Sequence, residues 1–150
     1  MGAFLVAHFR GQPVGLPTNP THHMKGTTMV KLEGLDPSTT FQAQLQQEAG
    51  PVVLVNMFSV PEGTVEEAVA KWKDDAEYMK HQPGYISAQL HRGTGESHLL
   101  VNIAVWESTE TLVAAFSSPE FQGKHDGWPD GTVAYPHLFQ KVAVEGVCVA

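Results

Sequence analysis

From Pro51 onward the hydrophobic positions fall into regular periods, and before it they do not. Val52 to Val60 is an apolar run of strand length, rich in β-branched residues. Val65, Ala68, Val69, Trp72, Ala76 and Met79 then recur along one helical stripe, which predicts a helix from Thr64 to about Gln82. Thr64-Val65-Glu66-Glu67 has the form of a capping box at its start, and Pro83-Gly84 ends it. Tyr85 to Arg92 and Ser97 to Trp106 read as strands, joined into a hairpin by Gly93-Thr94-Gly95-Glu96. Ser108 caps a second helix through Leu112, Ala115 and Phe116. Ser118-Pro119-Glu120 opens a further short one with proline at its first position. His125 to Pro136 reads as a loop, and Leu138 to Val144 as the last strand.

The order β-α-β-β-α-β predicts an α+β, ferredoxin-like fold: a four-stranded antiparallel sheet with helices on one face. Its first and third strands are expected as the central pair, running parallel. Residues 1–49 are expected to form an N-terminal extension. They are largely irregular because Pro13, Pro17, Pro20 and several glycines interrupt any period, with a short helix over 38–47 placing Phe41 and Leu45 on one face. Residues 50–150 are expected to form the domain.

Side chains alternate across a strand, so parity assigns faces. Val52, Leu54, Asn56 and Phe58 share one face of the first strand, and Leu100, Asn102, Ala104 and Trp106 share one face of the third. The opposite face carries Val53, Val55, Met57, Leu99, Val101, Ile103 and Val105 and is apolar too. Two helices cover only one face, and soluble monomers avoid large bare apolar patches. The expectation is a homodimer packed through its sheet faces, with cover by the N-terminal arm as the alternative.

Charge and composition narrow the partners. The chain has 150 residues, 42% of them hydrophobic and 17% charged, enough for one domain with a core. A net charge of −7 argues against a nucleic-acid partner. No apolar stretch is long enough for a membrane span. One cysteine, Cys148, leaves no internal disulfide and suits a reducing compartment, so a cytoplasmic location is expected. No G-x-S-x-G motif and no glycine-rich nucleotide loop occurs. His22-His23 lack metal-ligand spacing.

The two asparagines are the candidate chemistry. Both follow Leu-Val inside apolar strands, where asparagine is depleted and an unpaired buried amide costs roughly 1–3 kcal/mol. If the two strands align by these stretches, the amides sit side by side. Trp106, four residues beyond Asn102, points the same way and adds an aromatic wall with one N–H donor. Donors, acceptors and a flat wall together suit an aromatic ligand bearing a carbonyl or phenol.

Pro51 to about Val147 resembles the antibiotic biosynthesis monooxygenase (ABM) domain of the dimeric α+β barrel superfamily. The likeness is carried by Val55-Asn56-Met57-Phe58, by Gln82-Pro83-Gly84-Tyr85, by Leu90-His91-Arg92 and by Asn102-Ile103-Ala104-Val105-Trp106-Glu107-Ser108. The Asn-x-x-x-Trp spacing is similar to the pocket pair of cofactor-free anthrone oxygenases. That resemblance implies a monooxygenase that oxidises an aromatic, polyketide-like anthrone to a quinone with O2 and no cofactor. It implies catalytic roles for Asn56, Asn102 and Trp106, and a substrate held against Leu54, Phe58, Trp72, Leu112 and Phe116. Where some quinone-forming relatives carry a tyrosine early in the second helix, this chain has Leu112. Two alternatives stand beside it. One is haem binding and degradation, with His125 where haem-degrading relatives place the axial ligand. The other is a non-catalytic, small-molecule-binding module related to stress.

Overall fold

The computed structural model describes residues 30–124 and 126–150. Among them the elements run β1 (Lys31–Leu32), α1 (Phe41–Leu45), β2 (Val52–Ser59), α2 (Val65–Met79), β3 (Tyr85–Arg92), β4 (Leu99–Trp106), α3 (Thr109–Phe116), α4 (Pro119–Gln122) and β5 (Val133–Phe139). The strands form one sheet in the order β1-β5-β2-β4-β3. The ferredoxin-like α+β arrangement is therefore present, with a fifth strand added at one edge. That strand, β1, is two residues long and pairs with β5 in parallel.

The two central strands, β2 and β4, run antiparallel, not parallel as expected from the sequence. The reason is topological. The crossover through α2 returns the chain in the direction of β2, and the β3–β4 hairpin then reverses it. The register sets Val52 opposite Trp106, Leu54 opposite Ala104, Asn56 opposite Asn102, and Phe58 opposite Leu100. Every pair the parity argument put on one face stays on that face, because antiparallel pairing matches residues two by two as parallel pairing would.

The last strand lies earlier than its composition suggests. β5 holds Tyr135 and Pro136, which the sequence pattern assigns to a loop. Proline donates no N–H and is tolerated where that side of the strand has no neighbour. β1 reaches only Val133 and Ala134, so β5 is an edge strand at Pro136. Further along, α1 closes the edge with one side chain. Gln44 Nε2 donates to the Leu138 carbonyl at 2.9 Å, and Leu138 N–H donates to Gln44 Oε1 at 2.9 Å.

The helix caps follow the sequence in two cases of three. Ser108 Oγ accepts from the Thr111 N–H and Ser118 Oγ from the Phe121 N–H. Thr64 precedes α2 but makes no side-chain cap. Its hydroxyl donates instead to the Pro61 carbonyl at 2.7 Å, so the expected capping box does not form. At the far end α2 stops at Met79, short of Gln82. Gly84 there has φ +82°, and a Cβ on it would lie 2.3 Å from the Thr111 side chain, so only glycine fits this turn onto β3.

The helices cover the face that carries Val52, Leu54, Asn56 and Phe58. Val52, Leu54, Ala104, Trp106 and Leu112 are buried in one apolar cluster with Met79 and Phe121. Phe58, Val60, Val65, Ala68, Leu100 and Ala134 form a second. The other face remains bare in the single chain. Leu99, Ile103 and Phe139 are exposed there, while the helix-side Trp106 is 1% exposed.

Candidate functional site

A cavity of about 690 Å³ lies between the helix-side face of the sheet and α1, α2 and α3. It occupies the seam between the two apolar clusters. Moving along β2, Leu54 belongs to the first cluster and Phe58 to the second, and Asn56 falls between them. On β4 the same sequence is Ala104, Asn102, Leu100. The core is thus interrupted at the paired amides.

Directly opposed side chains on antiparallel strands have Cβ atoms about 4.5–5.5 Å apart, which brings the two amides within reach of one ligand atom. Asn56 Oδ1 and Asn102 Oδ1 are both buried with no hydrogen-bond partner, and no other described side-chain polar atom shares that condition. Their outer neighbours explain it. Asn56 stands beside Pro136 and Asn102 beside Leu90, and neither side chain carries a donor. An unsatisfied buried acceptor costs about 1–3 kcal/mol, so the pair is a standing penalty in the folded chain.

The residues expected to act on or hold an aromatic substrate, Asn56, Asn102, Trp106, Leu54, Phe58, Trp72, Leu112 and Phe116, all line this cavity. Trp106 closes one end, its ring set edge-on to Tyr85 at 5.5 Å between centroids. Leu54 and Phe58 lie on the floor, and Trp72, Leu112 and Phe116 come from the helices. His125 lies outside the described residues. Among the described residues no histidine or cysteine lines the cavity. Nor is any group of three or more His, Cys, Asp or Glu among them placed to hold a metal.

Two contributions were missed in the sequence. The first is the segment before β2. Val30, Leu32, Phe41 and Leu45 line the cavity, so residues expected to stand apart from the domain help to wall its site. Only the Phe41–Leu45 spacing hinted at this.

The second is a charged cluster facing the cavity from α2. Asp75 lines it, with Oδ1 2.6 Å from Lys71 Nζ and Oδ2 accepting from Trp128 Nε1 at 3.2 Å. Lys71, almost fully buried, also donates to the Lys124 carbonyl at 2.5 Å. Trp128 stacks on Phe58 with 4.5 Å between ring centroids. Burial pushes the Asp75 carboxyl above its ordinary range, against the opposing pull of Lys71 and Trp128. The signal was present: Lys71 and Asp75 sit at i, i+4 beside Trp72 and Ala76, on the apolar stripe where charges are out of place.

The ABM (antibiotic biosynthesis monooxygenase) family model matches residues 51–126. Among solved structures, the chain is similar to SnoaB, a cofactor-independent oxygenase from Streptomyces nogalater. The identity is 25%, the TM-score 0.58, and the match covers 65% of this chain and 99% of that one. It is similar to a candidate monooxygenase from Shewanella loihica PV-4 at 31% identity and TM-score 0.55, covering 63% and 97%. It is also similar to the heme-degrading protein Rv3592 from Mycobacterium tuberculosis at 26% identity and TM-score 0.50, covering 65% and 98%. No match is found among curated proteins. Among the described residues no helix is long and apolar enough to cross a membrane.

Proposed function

The chain belongs to the antibiotic biosynthesis monooxygenase family, and from that premise we propose that it is a cofactor-independent monooxygenase acting on a phenolic, anthrone-type aromatic. The observation that carries this reading is the pair of buried amide oxygens with no partner, set in the wall of an apolar cavity. Such a pair is satisfied by a ligand that brings its own donors. A phenol does so, and its flat apolar rings suit walls made by Trp72, Leu112, Phe116 and Trp106.

The chemistry needs no redox cofactor because the substrate is the reductant. A proton leaves the methylene carbon between two aromatic rings, giving a delocalised anion with charge on the phenolic and carbonyl oxygens. One electron passes to O2, and the two radicals combine into a carbon-bound peroxide. Protonation of the peroxide and loss of water, using the second methylene hydrogen, leave a carbonyl. One oxygen atom ends in the product and one in water. Asn56 and Asn102 accept the phenol hydrogen bond in the bound substrate. Turned to present their N–H groups, they hold the oxyanion that develops, which is where such groups act most strongly. Trp106 donates its N–H toward the oxygen or peroxide and fixes the plane of the rings.

The haem alternative rests on His125 as axial ligand, a residue outside the described ones, while Met79 and Tyr85, of types that can also ligate haem iron, line the cavity. The bare sheet face, with Leu99, Ile103 and Phe139 exposed, supports a homodimer packed sheet to sheet. A soluble, cytoplasmic enzyme with a small aromatic substrate and O2 is the corresponding setting.

The test is oxygen consumption with a simple anthrone, using protein whose spectrum shows no flavin or haem. The reading expects one O2 consumed per quinone formed, at a rate well above buffer. Oxygen uptake equal to buffer would sink it, and an intense Soret band on haemin titration would move the assignment to haem.

A further inference from the structure

An amide is no base near neutral pH, so Asn56 and Asn102 can hold the anion but cannot take the proton that creates it. The α3 position that is similar to the tyrosine site of some quinone-forming relatives is Leu112 here, which has no exchangeable proton. We infer that Asp75 is the general base of this cavity, taking the proton from the substrate's acidic carbon and returning it to the peroxide. This inference rests on the anthrone reading above.

The placement comes from three linked contacts. Phe58 follows Asn56 on the same face of β2, about 7 Å along the strand. Trp128 stacks on Phe58, and its Nε1 holds Asp75 Oδ2. The carboxylate is therefore one aromatic stack away from the strand that carries the amides, across the same cavity. A fused-ring ligand with its phenol at the amides extends along this path toward α2. Lys71 and Trp128 each occupy one lone pair, on different oxygens of the carboxylate. Each carboxylate oxygen has two, so an acceptor position remains open on both.

The surroundings favour the task. Burial holds the carboxyl above its ordinary range and so nearer the operating pH, where a general base works best. The charged groups around it are Lys71 and Asp74 on α2 and Lys124 beyond α4. Lys124 Nζ is bonded to Asp74 at 2.8 Å, which leaves Lys71 as the cation in contact with Asp75. Lys71 and the Trp128 N–H keep the base ionised and aimed.

The proton balance closes. Asp75 gains the first methylene proton and becomes a carboxylic acid. The carbanion is oxidised by O2, and the resulting peroxide anion takes that same proton back. The second methylene proton leaves with hydroxide as water, and Asp75 ends as it began.

The measurement is anaerobic deuterium exchange at the anthrone methylene in D2O, followed by NMR over a range of pH. Removing O2 isolates proton transfer from oxidation. Wild-type protein should exchange well above buffer, with a rate that rises through one ionisation. Asp75→Asn should lower it about 10²-fold or more. Trp128→Phe keeps the stack on Phe58 but removes a donor that favours the carboxylate. It should move the rise to higher pH, which a purely structural role would not do, and it serves if Asp75→Asn does not fold. Wild-type exchange no faster than buffer, unchanged exchange in Asp75→Asn, or an unmoved rise in Trp128→Phe would each overturn the inference. Oxygen uptake is read separately. Exchange without uptake leaves Asp75 as the base and removes the oxygenase reading, whereas uptake insensitive to Asp75→Asn removes only Asp75.

Discussion

Two polar sites in the cavity resolve the cost of burial in opposite ways. On the sheet, Asn56 and Asn102 each keep an oxygen with no partner. On α2, both oxygens of Asp75 are bonded, one to Lys71 and one to Trp128. Folding leaves the amide site incomplete and completes the carboxylate site. A site left incomplete at a cost of about 1–3 kcal/mol per group is open to a ligand, which is the natural place for binding. A completed one supplies a charge whose strength its neighbours set.

The contrast predicts opposite responses to removing a side chain. Asp75→Ala leaves the buried Lys71 with only the Lys124 carbonyl and the more distant Asp74 carboxylate at 4.0 Å, and stability should fall by about 3 kcal/mol, read by urea unfolding. Asn102→Ala should leave the fold intact but cut anthrone oxidation about 10²–10³-fold, worth roughly 3–4 kcal/mol, read as kcat with circular dichroism as the control. Replacing both asparagines by leucine, close to them in size, removes two unsatisfied acceptors. Stability should rise by about 1 kcal/mol per site while activity disappears. A fall in melting temperature in that variant would mean the amides have structural partners after all.

The smallest effect is in the pH dependence of stability. The Asp75 carboxyl is raised from its ordinary value of 3.8, so the folded state holds its proton more tightly than the unfolded chain. Its contribution is fully present below 3.8 and is lost as pH rises through the folded value. Asp74 and Glu77 go the other way. Hydrogen bonds from Lys124 and Lys80 lower their carboxyls, so their contribution is present above their ordinary values and lost in acid. Asp75→Asn should therefore make stability climb more steeply with pH from 3.8 upward, as unfolding midpoints across that range will read. An unchanged slope would place Asp75 in a less buried setting.

The strength of the local signal decided what was legible in the sequence. That Asn56 and Asn102 share a face follows from strand parity, which survives even a wrong strand direction, whereas their direct pairing depends on the register. That direction depends on the count of chain reversals between β2 and β4, and the residues of the two strands do not record it. The last strand was misplaced because Pro136 reads as a breaker; only the shortness of β1 makes it tolerable there. The short α1 was visible in Phe41 and Leu45, but its clamp on β5 is a contact between Gln44 and Leu138, 94 residues apart. The role of Asp75 is hidden for the same reason. Its partner Lys71 is local, but Trp128 and the Lys124 carbonyl are brought to it only by the fold.

The central claim is that the unpartnered amide oxygens await a phenolic ligand. A crystal structure with a bound dihydroxyanthraquinone tests it most directly. The account predicts a phenolic oxygen at about 2.5–3.0 Å from Asn56 Oδ1 or Asn102 Oδ1, with the rings lying between Trp106 and α2. A ligand seated elsewhere, with both amide oxygens bonded to protein atoms, would contradict it.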